Sequence, residues 1–405
     1  PMNWVKEDLV LKKRCMIRPF RQPLMKIEVT SIANELRKRD RRKKMNRLNR
    51  MGALMFERIT DSQEFPSILD ELILQFDFRK MAMFNKAFFL KDPLPKMFFL
   101  ALFEQGLLHA TVLRLNGEII ASTVGVIGKD CVHLQGINSH APSYAQYSPG
   151  ILHFLMLGKL LANEGVAVFD LTPGDSYYKD ELATEYGLTY ELTVCNIYSY
   201  WADHIKFHLV EHLKKFTSAI GIKPAIITEM KRRAFNFRVK IAHFKRQGLP
   251  FWIKSIIRQV VLSGRPRKYI AQSDVISGYS DFLNINKNSL FHLLHFEGDG
   301  TWMTRQEFLA DAMRRFELMQ SAYTFYEDGT LLSCVWLSNG KDGSALLEGF
   351  YYHPACQNNL ESFLAAVASA VAKDQQGSQV YAVTTSNDKI LLQALEAIGF
   401  KSDVL

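Results

Sequence analysis

The sequence is poor in cysteine, and its five cysteines lie far apart. They form no Cys-x-x-Cys pair and no grouping with the spacing of a zinc site. An odd number of dispersed cysteines is typical of reduced thiols in a reducing compartment. We therefore expect neither a disulfide framework nor a structural metal. The cysteines are Cys15, Cys131, Cys195, Cys334 and Cys356.

Long apolar runs are also missing. No stretch approaches the roughly 18–20 apolar residues that cross a bilayer as a helix. The first residues, PMNWVKEDLV, lack the apolar core of a signal peptide. These absences predict a cytoplasmic protein. With 405 residues, 48% of them hydrophobic, the chain is long enough for two or three globular domains.

Positive charge is unevenly distributed within a net charge of +9. Residues 37–50 contain nine Lys or Arg and one Asp, and residues 203–268 contain sixteen Lys or Arg and three acidic residues. Such segments predict an anionic partner, whether a phosphate-bearing cofactor, lipid head groups or nucleic acid, although a solvated helix face explains them equally well. Within the second segment, PFWIKSIIRQVVL has the pattern of a basic amphipathic helix, which is typical of peripheral contact with the inner face of an anionic membrane or of packing on the protein itself.

The stretch from Cys131 to Lys179 has the clearest local pattern. Ser148-Pro149-Gly150 is a typical helix start, with Ser148 as the N-cap, and its free amides favour a phosphate or carboxylate. An ordinary capped helix is the simpler explanation of that tripeptide alone. The predicted elements are a strand Cys131–Asn138, a helix Ser148–Asn163, a strand Val166–Leu171, a helix from Tyr177 to about Tyr186 and a strand Thr189–Ile197.

The predicted element order of this half is β-α-α-β-β-β-α-β-α-β, and it recurs after residue 268. In the first copy a strand pair is joined by Asn116-Gly117, and in the second copy a strand pair is joined by the turn Glu327-Asp328-Gly329. We therefore predict an α/β fold with two tandem domains, each a mixed, mostly antiparallel sheet flanked by helices. The predicted divisions are an unassigned arm (1–30), a first domain (31–198), a basic helical linker (199–268) and a second domain (269–405).

The first copy resembles the Gcn5-related N-acetyltransferase (GNAT) superfamily, in particular its CelD/BcsL-like branch of cellulose and exopolysaccharide synthesis. The resemblance covers roughly residues 30–197. It depends on RRKKMNRLNR, LRLNGEIIASTVGV, YSPGILHFLMLGKLL and FDLTPGDSYYK, the last being similar to the branch's aspartate-glycine-tyrosine-lysine signature. The tandem arrangement also resembles the Fem-type aminoacyltransferases.

The resemblance implies that acyl-CoA or acetyl-CoA is the co-substrate and that two central strands separate to admit its pantetheine arm. The pyrophosphate is then expected at the following helix, with Ser148, Gly150, Ile151 and Gln135 as contacts. This chain departs from the superfamily's glycine-rich phosphate loop, because AQYSPGIL contains one glycine. The equivalent loop of the second copy, PACQNNLESF, contains none, so we expect the second copy to be degenerate.

Acyl transfer to an amine requires a base for the ammonium proton and an acid for the departing thiolate. His133 and Asp170 are the candidate bases, and Tyr178 is the candidate acid. A partly buried histidine, a turn aspartate and a packed tyrosine are the alternative interpretations of these residues. Lys179, Arg42 and Arg47 are candidates for binding a phosphate of the substrate, alongside Arg41 and Lys44, which share the basic helix.

Three functions follow from these observations. The first is an acyl-CoA-dependent N-acyltransferase that acts on an amino group of a sugar, polysaccharide precursor or related metabolite. The second is a Fem-like aminoacyltransferase, which would use aminoacyl-tRNA and bind it through the basic segments. The third is a non-catalytic accessory protein of exopolysaccharide synthesis. None of the three requires a metal.

Overall fold

The computed structural model describes most of the two predicted domains. The described residues are 15–174, 176–194, 196, 198–202, 205, 209, 234–235, 237–243, 245, 266–271, 283–298, 303–340, 344–374, 379–385 and 388–402. Most of the predicted linker 199–268, including its amphipathic segment, lies outside them.

The described elements include both strands and helices. In chain order they are β1 (Cys15–Lys26), α1 (Val29–Arg37), α2 (Arg39–Met51), β2 (Leu54–Ile59), α3 (Phe65–Phe84), α4 (Leu94–Glu104), β3 (Leu108–Leu115), β4 (Glu118–Ile127), β5 (Cys131–His133), β6 (Asn138–His140), a 3-10 helix (Pro142–Tyr147), α5 (Pro149–Asn163), β7 (Val168–Asp170), α6 (Tyr177–Leu182), β8 (Glu185–Val194), β9 (Pro266–Ala271), β10 (Asn286–Lys287), α7 (Leu290–Leu294), α8 (Arg305–Glu317), β11 (Ser321–Glu327), β12 (Thr330–Asn339), β13 (Ala345–Tyr352), a 3-10 helix (Pro354–Asn359), α9 (Leu360–Asp374), β14 (Val380–Thr385), α10 (Lys389–Ala397) and β15 (Lys401–Ser402).

The element order recurs as predicted, and each copy begins one strand earlier than the sequence suggested. β1 pairs with β7 and β8, and β9 pairs in the same way with β14 and β15. Residues 15–26, which the sequence left unassigned, therefore form a strand of the first copy. Each copy also has a 3-10 helix directly before its main helix, α5 or α9.

The chain forms two compact units that do not coincide with the two copies. Described residues within Pro1–Glu35, Gly125–Gly136 and Leu155–Ile241 belong to the first unit. Those within Leu36–Val124, Ile137–Phe154 and Ala242–Leu405 belong to the second.

Each unit contains a mixed sheet. In the first unit, β5 runs parallel to β7, while β7 and β8 are antiparallel to β1. In the second unit, the strand order is β10-β11-β12-β13-β14-β9-β15, and its one parallel pair among the described strands is β13 with β14. Helices α9 and α10 pack on this sheet through buried side chains such as Phe363 and Leu395. The predicted fold class, α/β with two mixed sheets flanked by helices, is confirmed.

Two hairpin turns show how local sequence determines the strand register. Asn116 and Gly117 between β3 and β4 have φ angles of 51° and 87°. Asp328 and Gly329 between β11 and β12 have 48° and 83°. Positive φ at both central residues is the geometry that matches the twist of a two-residue hairpin, and Asn-Gly and Asp-Gly adopt it at low cost.

Three predicted boundaries in the first copy are wrong. The predicted strand Cys131–Asn138 is interrupted after His133, and a separate strand, β6, begins at Asn138. The predicted helix that starts at Tyr177 ends at Leu182 rather than near Tyr186. Strand β8 therefore begins earlier than predicted, because residues from Glu185 onward pair with β1.

β1 contains two prolines, which normally argue against a paired strand. The Leu171 amide donates to the Pro23 carbonyl at 3.1 Å, so Pro23 faces β7. Pro19, four residues earlier, faces the same side. On that side the ladder to β7 covers only Leu24–Lys26, so neither proline removes a ladder hydrogen bond.

Candidate active site

The candidate active site lies in the first unit, where a short parallel ladder ends. Strands β5 and β7 pair through Cys131 with Val168, Val132 with Phe169 and His133 with Asp170. The Leu134 amide makes the last backbone bond, to the Asp170 carbonyl at 2.8 Å. Parallel strands place their carboxyl ends at one edge of a sheet. His133 and Asp170, predicted separately from the sequence, therefore lie side by side.

Asp170 is 4% exposed, and its carboxylate accepts three hydrogen bonds. Oδ2 accepts from Gln22 Nε2 and from His133 Nδ1, each at 2.7 Å. Oδ1 accepts from the Thr172 amide at 2.8 Å. Because a buried carboxylate is stable only when its oxygens are paired, this set of donors holds Asp170 in one orientation.

His133 receives its orientation from that carboxylate. Since Asp170 can only accept when ionised, Nδ1 of His133 carries the proton, and Nε2 keeps a lone pair. Nε2 lies 3.2 Å from Cys131 Sγ, on the strand's same face. The side chain of His133 is about one-third exposed, at 32%. An oriented, accessible imidazole with a basic Nε2 can serve as a general base.

Lys179 stabilises the turn after Asp170 and does not face solvent. Its side chain is buried, and Nζ donates to the carbonyls of Thr172 at 2.9 Å and Pro173 at 3.2 Å. Thr172 has a φ of 60°, an uncommon conformation for a threonine, which these bonds and the one to Asp170 support. The contacts give Lys179 a role in the shape of the site, whereas the sequence suggested a contact with phosphate.

Tyr178 and Gln135 fit their predicted positions to different degrees. Tyr178 is half-buried on the short helix α6, next to Lys179. Gln135 lies outside the strand that the sequence predicted for it. The strand ends at His133, and Gln135 is exposed in the following segment, where Gly136 has a φ of 156°.

The predicted phosphate-binding helix start lies in the second unit. Helix α5 begins at Pro149, as expected, but Ser148 is in the left-handed region with φ 51° and is not a side-chain N-cap of the usual extended geometry. The Ser148 carbonyl accepts from the Ile151 and Leu152 amides at 3.1 and 3.2 Å, and Pro149 has no N–H. Of the first helical residues, Gly150 thus has the amide best placed to bind an anion.

One cation lies beside this helix start. Lys44 of α2 donates to Ser148 Oγ at 3.1 Å and pairs with Asp40 at 2.8 Å. A Cβ added at Gly150 would meet nothing closer than His140 Nδ1 at 3.9 Å, so the backbone there is approachable. A lysine ammonium and a helix N-terminus are the groups that bind phosphate. These residues offer a phosphate fewer amides than a glycine-rich loop does.

The other basic residues of α2 differ in their exposure to solvent. Arg42 and Arg47 are exposed, as both an anion-binding face and a solvated helix face require. Arg41 is only 7% exposed and so does not belong to that face. Among the described residues, no group of three His, Cys, Asp or Glu side chains could hold a metal ion.

Two residues of the site were missed by the sequence analysis. Gln22 was hidden because the prolines of β1 concealed a strand. Cys131 was noted only as a dispersed thiol, although its spacing of two from His133 places both side chains on the same face of a strand. Burial, followed by the charge of Asp170, raises the pKa of the Cys131 thiol above its usual value.

Comparison with known families identifies one match. Residues 36–180 match the acetyltransferase (GNAT) domain family. The matched stretch is shorter than half of the chain and includes His133, Asp170 and the start of α5. None of the curated proteins compared with this chain matches it.

Several solved structures are similar to parts of the chain at low identity. A tandem GNAT protein from the clavulanic acid biosynthesis pathway is 11% identical, with 86% of this chain and 95% of that one covered and a TM-score of 0.26. A GNAT-family acetyltransferase from Colwellia psychrerythraea is also 11% identical, with 86% and 96% covered and a TM-score of 0.29. L-PGS from Bacillus licheniformis is 16% identical, with 51% and 71% covered and a TM-score of 0.33.

Other structures are matched over less of their length. This chain covers between 57% and 66% of three of them. TM-scores this low carry no argument about activity. The family match over residues 36–180 supports an acetyltransferase (GNAT) domain in that part of the chain.

Proposed function

We propose that this protein is an acyl-CoA-dependent N-acyltransferase. The observation that carries the proposal is the hydrogen-bonded pair of His133 and Asp170 at the end of the β5–β7 ladder, within the residues that match the GNAT domain family. An amine nucleophile must lose a proton before or during attack on a thioester carbonyl. His133 Nε2 takes that proton, and the Asp170 carboxylate stabilises the imidazolium that results.

For the phosphates of the acyl donor we propose the start of helix α5, as the sequence predicted. The Gly150 amide and the Lys44 ammonium provide the positive charge, with Ser148 and Ile151 forming the helix start. The acyl group supplies the electrophilic carbonyl. We assign protonation of the departing thiolate to Tyr178, since a phenol can donate a proton to a thiolate of similar basicity.

The acceptor that we propose is an amino group of a sugar, a polysaccharide precursor or a related metabolite. This choice depends on the resemblance of FDLTPGDSYYK to the CelD/BcsL-like branch of cellulose and exopolysaccharide synthesis. Arg42 and Arg47 on the exposed face of α2 are assigned to a phosphate of the acceptor. Among the described helices, none is both long and apolar enough to cross a bilayer.

A second candidate is a Fem-like, aminoacyl-tRNA-dependent aminoacyltransferase. The exposed arginines of α2 favour it, since phosphate contacts of this kind bind tRNA with a steep dependence on salt. A third candidate is an accessory protein without catalytic activity, which the single glycine before α5 favours. Retention of tRNA that is lost at high salt would support the second candidate.

The proposal is tested by binding and turnover. Calorimetry with acetyl-CoA and longer acyl-CoA should show saturable binding, and release of free CoA should depend on an added amine. His133→Gln should lower turnover by about 10²- to 10⁴-fold, the usual effect of losing a general base. The matched control is His295→Gln, whose imidazole bonds the Phe291 carbonyl in the second copy. Absence of acyl-CoA binding would refute the proposal.

A further inference from the structure

Cys131, His133 and Asp170 form a continuous chain of hydrogen bonds in the first unit. Cys131 Sγ lies 3.2 Å from His133 Nε2, and His133 Nδ1 lies 2.7 Å from Asp170 Oδ2. A nucleophile, a base and a group that orients the base, each within reach of the next, are the arrangement of covalent catalysis. We propose that Cys131 is the residue that first receives the acyl group, so that transfer proceeds through an acyl-cysteine.

In the resting state, Cys131 is a neutral thiol. Burial raises the pKa of the Cys131 thiol, so the thiolate must be generated by a base during the reaction. His133 has its proton on Nδ1, held by Asp170, and its Nε2 lone pair faces the thiol. A neighbouring base is how weakly acidic nucleophiles are activated.

Gly128 lies against both reacting atoms. A Cβ placed there would be 2.9 Å from Cys131 Sγ and 2.9 Å from His133 Nε2, closer than Cβ atoms normally approach. A side chain at this position would therefore displace the thiol or the imidazole. Glycine at residue 128 lets sulphur and nitrogen keep their contact.

The proposed reaction has two balanced steps and uses no oxidant or further reactant. In the first, the Cys131 proton passes to His133 Nε2, Sγ bonds to the acyl carbon, and the bond from that carbon to the CoA sulphur breaks. CoA leaves with the proton from His133, which in this two-step route takes the place of Tyr178 as the acid. In the second, the amine nitrogen bonds to the acyl carbon, the bond to Cys131 Sγ breaks, and the amine's proton returns through His133 to sulphur. Cys131 is regenerated as a thiol.

This inference rests on the proposed function, and one experiment separates the two. The full chain is incubated with acetyl-CoA without an amine, and the intact protein and its peptides are weighed by mass spectrometry. One acetyl group is expected on Cys131. The Cys131→Ala variant should carry no adduct, and its turnover should fall by at least about 10²-fold. The control Cys15→Ala, which changes a buried cysteine on β1, should still form the adduct and turn over at the rate of the unaltered protein.

Two results would overturn the acyl-cysteine. One is turnover by Cys131→Ala at the rate of the unaltered protein, and the other is the absence of any adduct in protein that turns over. Either leaves the N-acyltransferase proposal intact, with His133 acting directly on the amine. A protein that neither binds nor consumes acyl-CoA refutes the proposed function itself.

A separate observation concerns the second unit, where helix α4 presents apolar side chains outward. Leu94, Met97 and Phe98 are 66%, 61% and 61% exposed, and Ala101 is exposed as well. Their spacing of i, i+3, i+4 and i+7 places them along one helix face. In a surface helix that stripe normally faces the core, so its outward position requires an explanation.

The segment before α4 is held in place with further apolar side chains outward. The buried carboxylate of Asp77 accepts from the amides of Phe88, Phe89 and Leu90 at 2.9, 3.0 and 2.8 Å. The Phe89 ring packs edge-on against Phe76 and Phe99, 5.8 and 5.9 Å away. Phe88 and Leu90 remain exposed. The exposed apolar surface is therefore a fixed structure.

We propose that this surface, the α4 platform (Phe88, Leu90, Leu94, Met97 and Phe98), docks on a bilayer of anionic lipids. Residues 79–98 contain five Lys or Arg and one acidic residue, Asp92. Lys86 and Lys91 are exposed next to the apolar side chains. Apolar side chains at the level of the head groups, flanked by lysines, are the usual composition of a monotopic membrane contact.

The test is co-sedimentation of the full chain with phosphatidylcholine vesicles, with and without phosphatidylglycerol. Binding is expected only with the anionic lipid. Leu94→Glu with Phe98→Glu should reduce partitioning by at least about tenfold, and Lys86→Gln by about fivefold. The control pair Leu188→Glu and Val194→Glu, on exposed apolar positions of β8, should bind normally.

Three results would overturn the α4 platform as a lipid surface. The first is that the unaltered chain does not bind the vesicles, and the second is that the Leu94 and Phe98 variant binds them normally. The third is that neither protein binds vesicles, while the unaltered chain is a dimer in solution and the variant is a monomer. The third would assign the surface to a second copy of the chain.

Discussion

Replacing Asp170 with asparagine should damage both folding and catalysis, because no orientation of the amide satisfies the donors around it. In the protein, Oδ2 accepts from Gln22 and His133 and Oδ1 accepts from the Thr172 amide. If the amide oxygen takes the Oδ2 position, its NH₂ faces the Thr172 N–H. If it takes the Oδ1 position, the NH₂ faces two donors.

The expected loss of stability follows from the number of donors that the asparagine leaves without an acceptor. Leaving one buried donor without an acceptor costs about 1–3 kcal/mol. The first orientation leaves one such donor, so the free energy of unfolding should fall by about 1–3 kcal/mol. The asparagine also no longer holds His133 with its proton on Nδ1, so that Nε2 is no longer reliably the base. Turnover should fall by about 10²- to 10⁴-fold.

The two effects are measured on the same preparation. Urea unfolding gives the stability, and release of CoA in the presence of an amine gives turnover. Asp374→Asn is the matched control, since Asp374 makes a half-exposed pair with Lys287 that should contribute little. An Asp170→Asn protein with unaltered stability and turnover would refute the donor count and the role assigned to Asp170.

Three further outcomes are expected. Burial lowers the pKa of His153 to about 3, below the ordinary 6.5, so the unfolded state binds the proton first as the pH falls. Between pH 6.5 and 5 the free energy of unfolding should therefore fall by about 2 kcal/mol. Chemical denaturation of a His153→Leu variant should show a smaller dependence of this free energy on pH. Asp77→Asn should cost about 1–3 kcal/mol and speed amide exchange in the segment that Asp77 holds, whereas Asp70→Asn, an exposed change on the same helix, should do neither. Gly128→Ala should lower turnover by displacing the imidazole, with the melting temperature as the check that the fold survives.

The sequence predicted the fold better than the edges of its elements. The turn chemistry of Asn116-Gly117 and Asp328-Gly329 is local, and both hairpins form where predicted. The break after His133 is not local, because β5 pairs with both β4 and β7, whereas β6 pairs with β4 alone among the described strands. A strand that loses one of its two partners reads as one continuous run, so the sequence could not show where it divides.

The candidate site was predictable where neighbouring strand ends carry polar residues, as at His133 and Asp170. It was not predictable where the partner comes from a distant strand. Gln22 reaches Asp170 from 148 positions earlier in the chain, on a strand that its prolines concealed. Lys179 illustrates a third case, because a lysine after a turn is usually exposed, whereas this one is buried and donates to the carbonyls of Thr172 and Pro173.

The second copy provides an internal comparison for the chemistry. Its parallel ladder pairs Ala345 with Val380, Leu346 with Tyr381 and Leu347 with Ala382. The ladder of the first copy has the same three-residue length and the same place in the element order.

Aligned on these ladders, the second copy has Leu347 where the first has His133, and Ala382 where the first has Asp170. An alanine also occupies the position that corresponds to Cys131. None of these side chains can accept a proton or attack a carbonyl. The backbone geometry is thus duplicated while the reactive groups are present once, which is why we assign acyl transfer to the first copy and a structural role to the second.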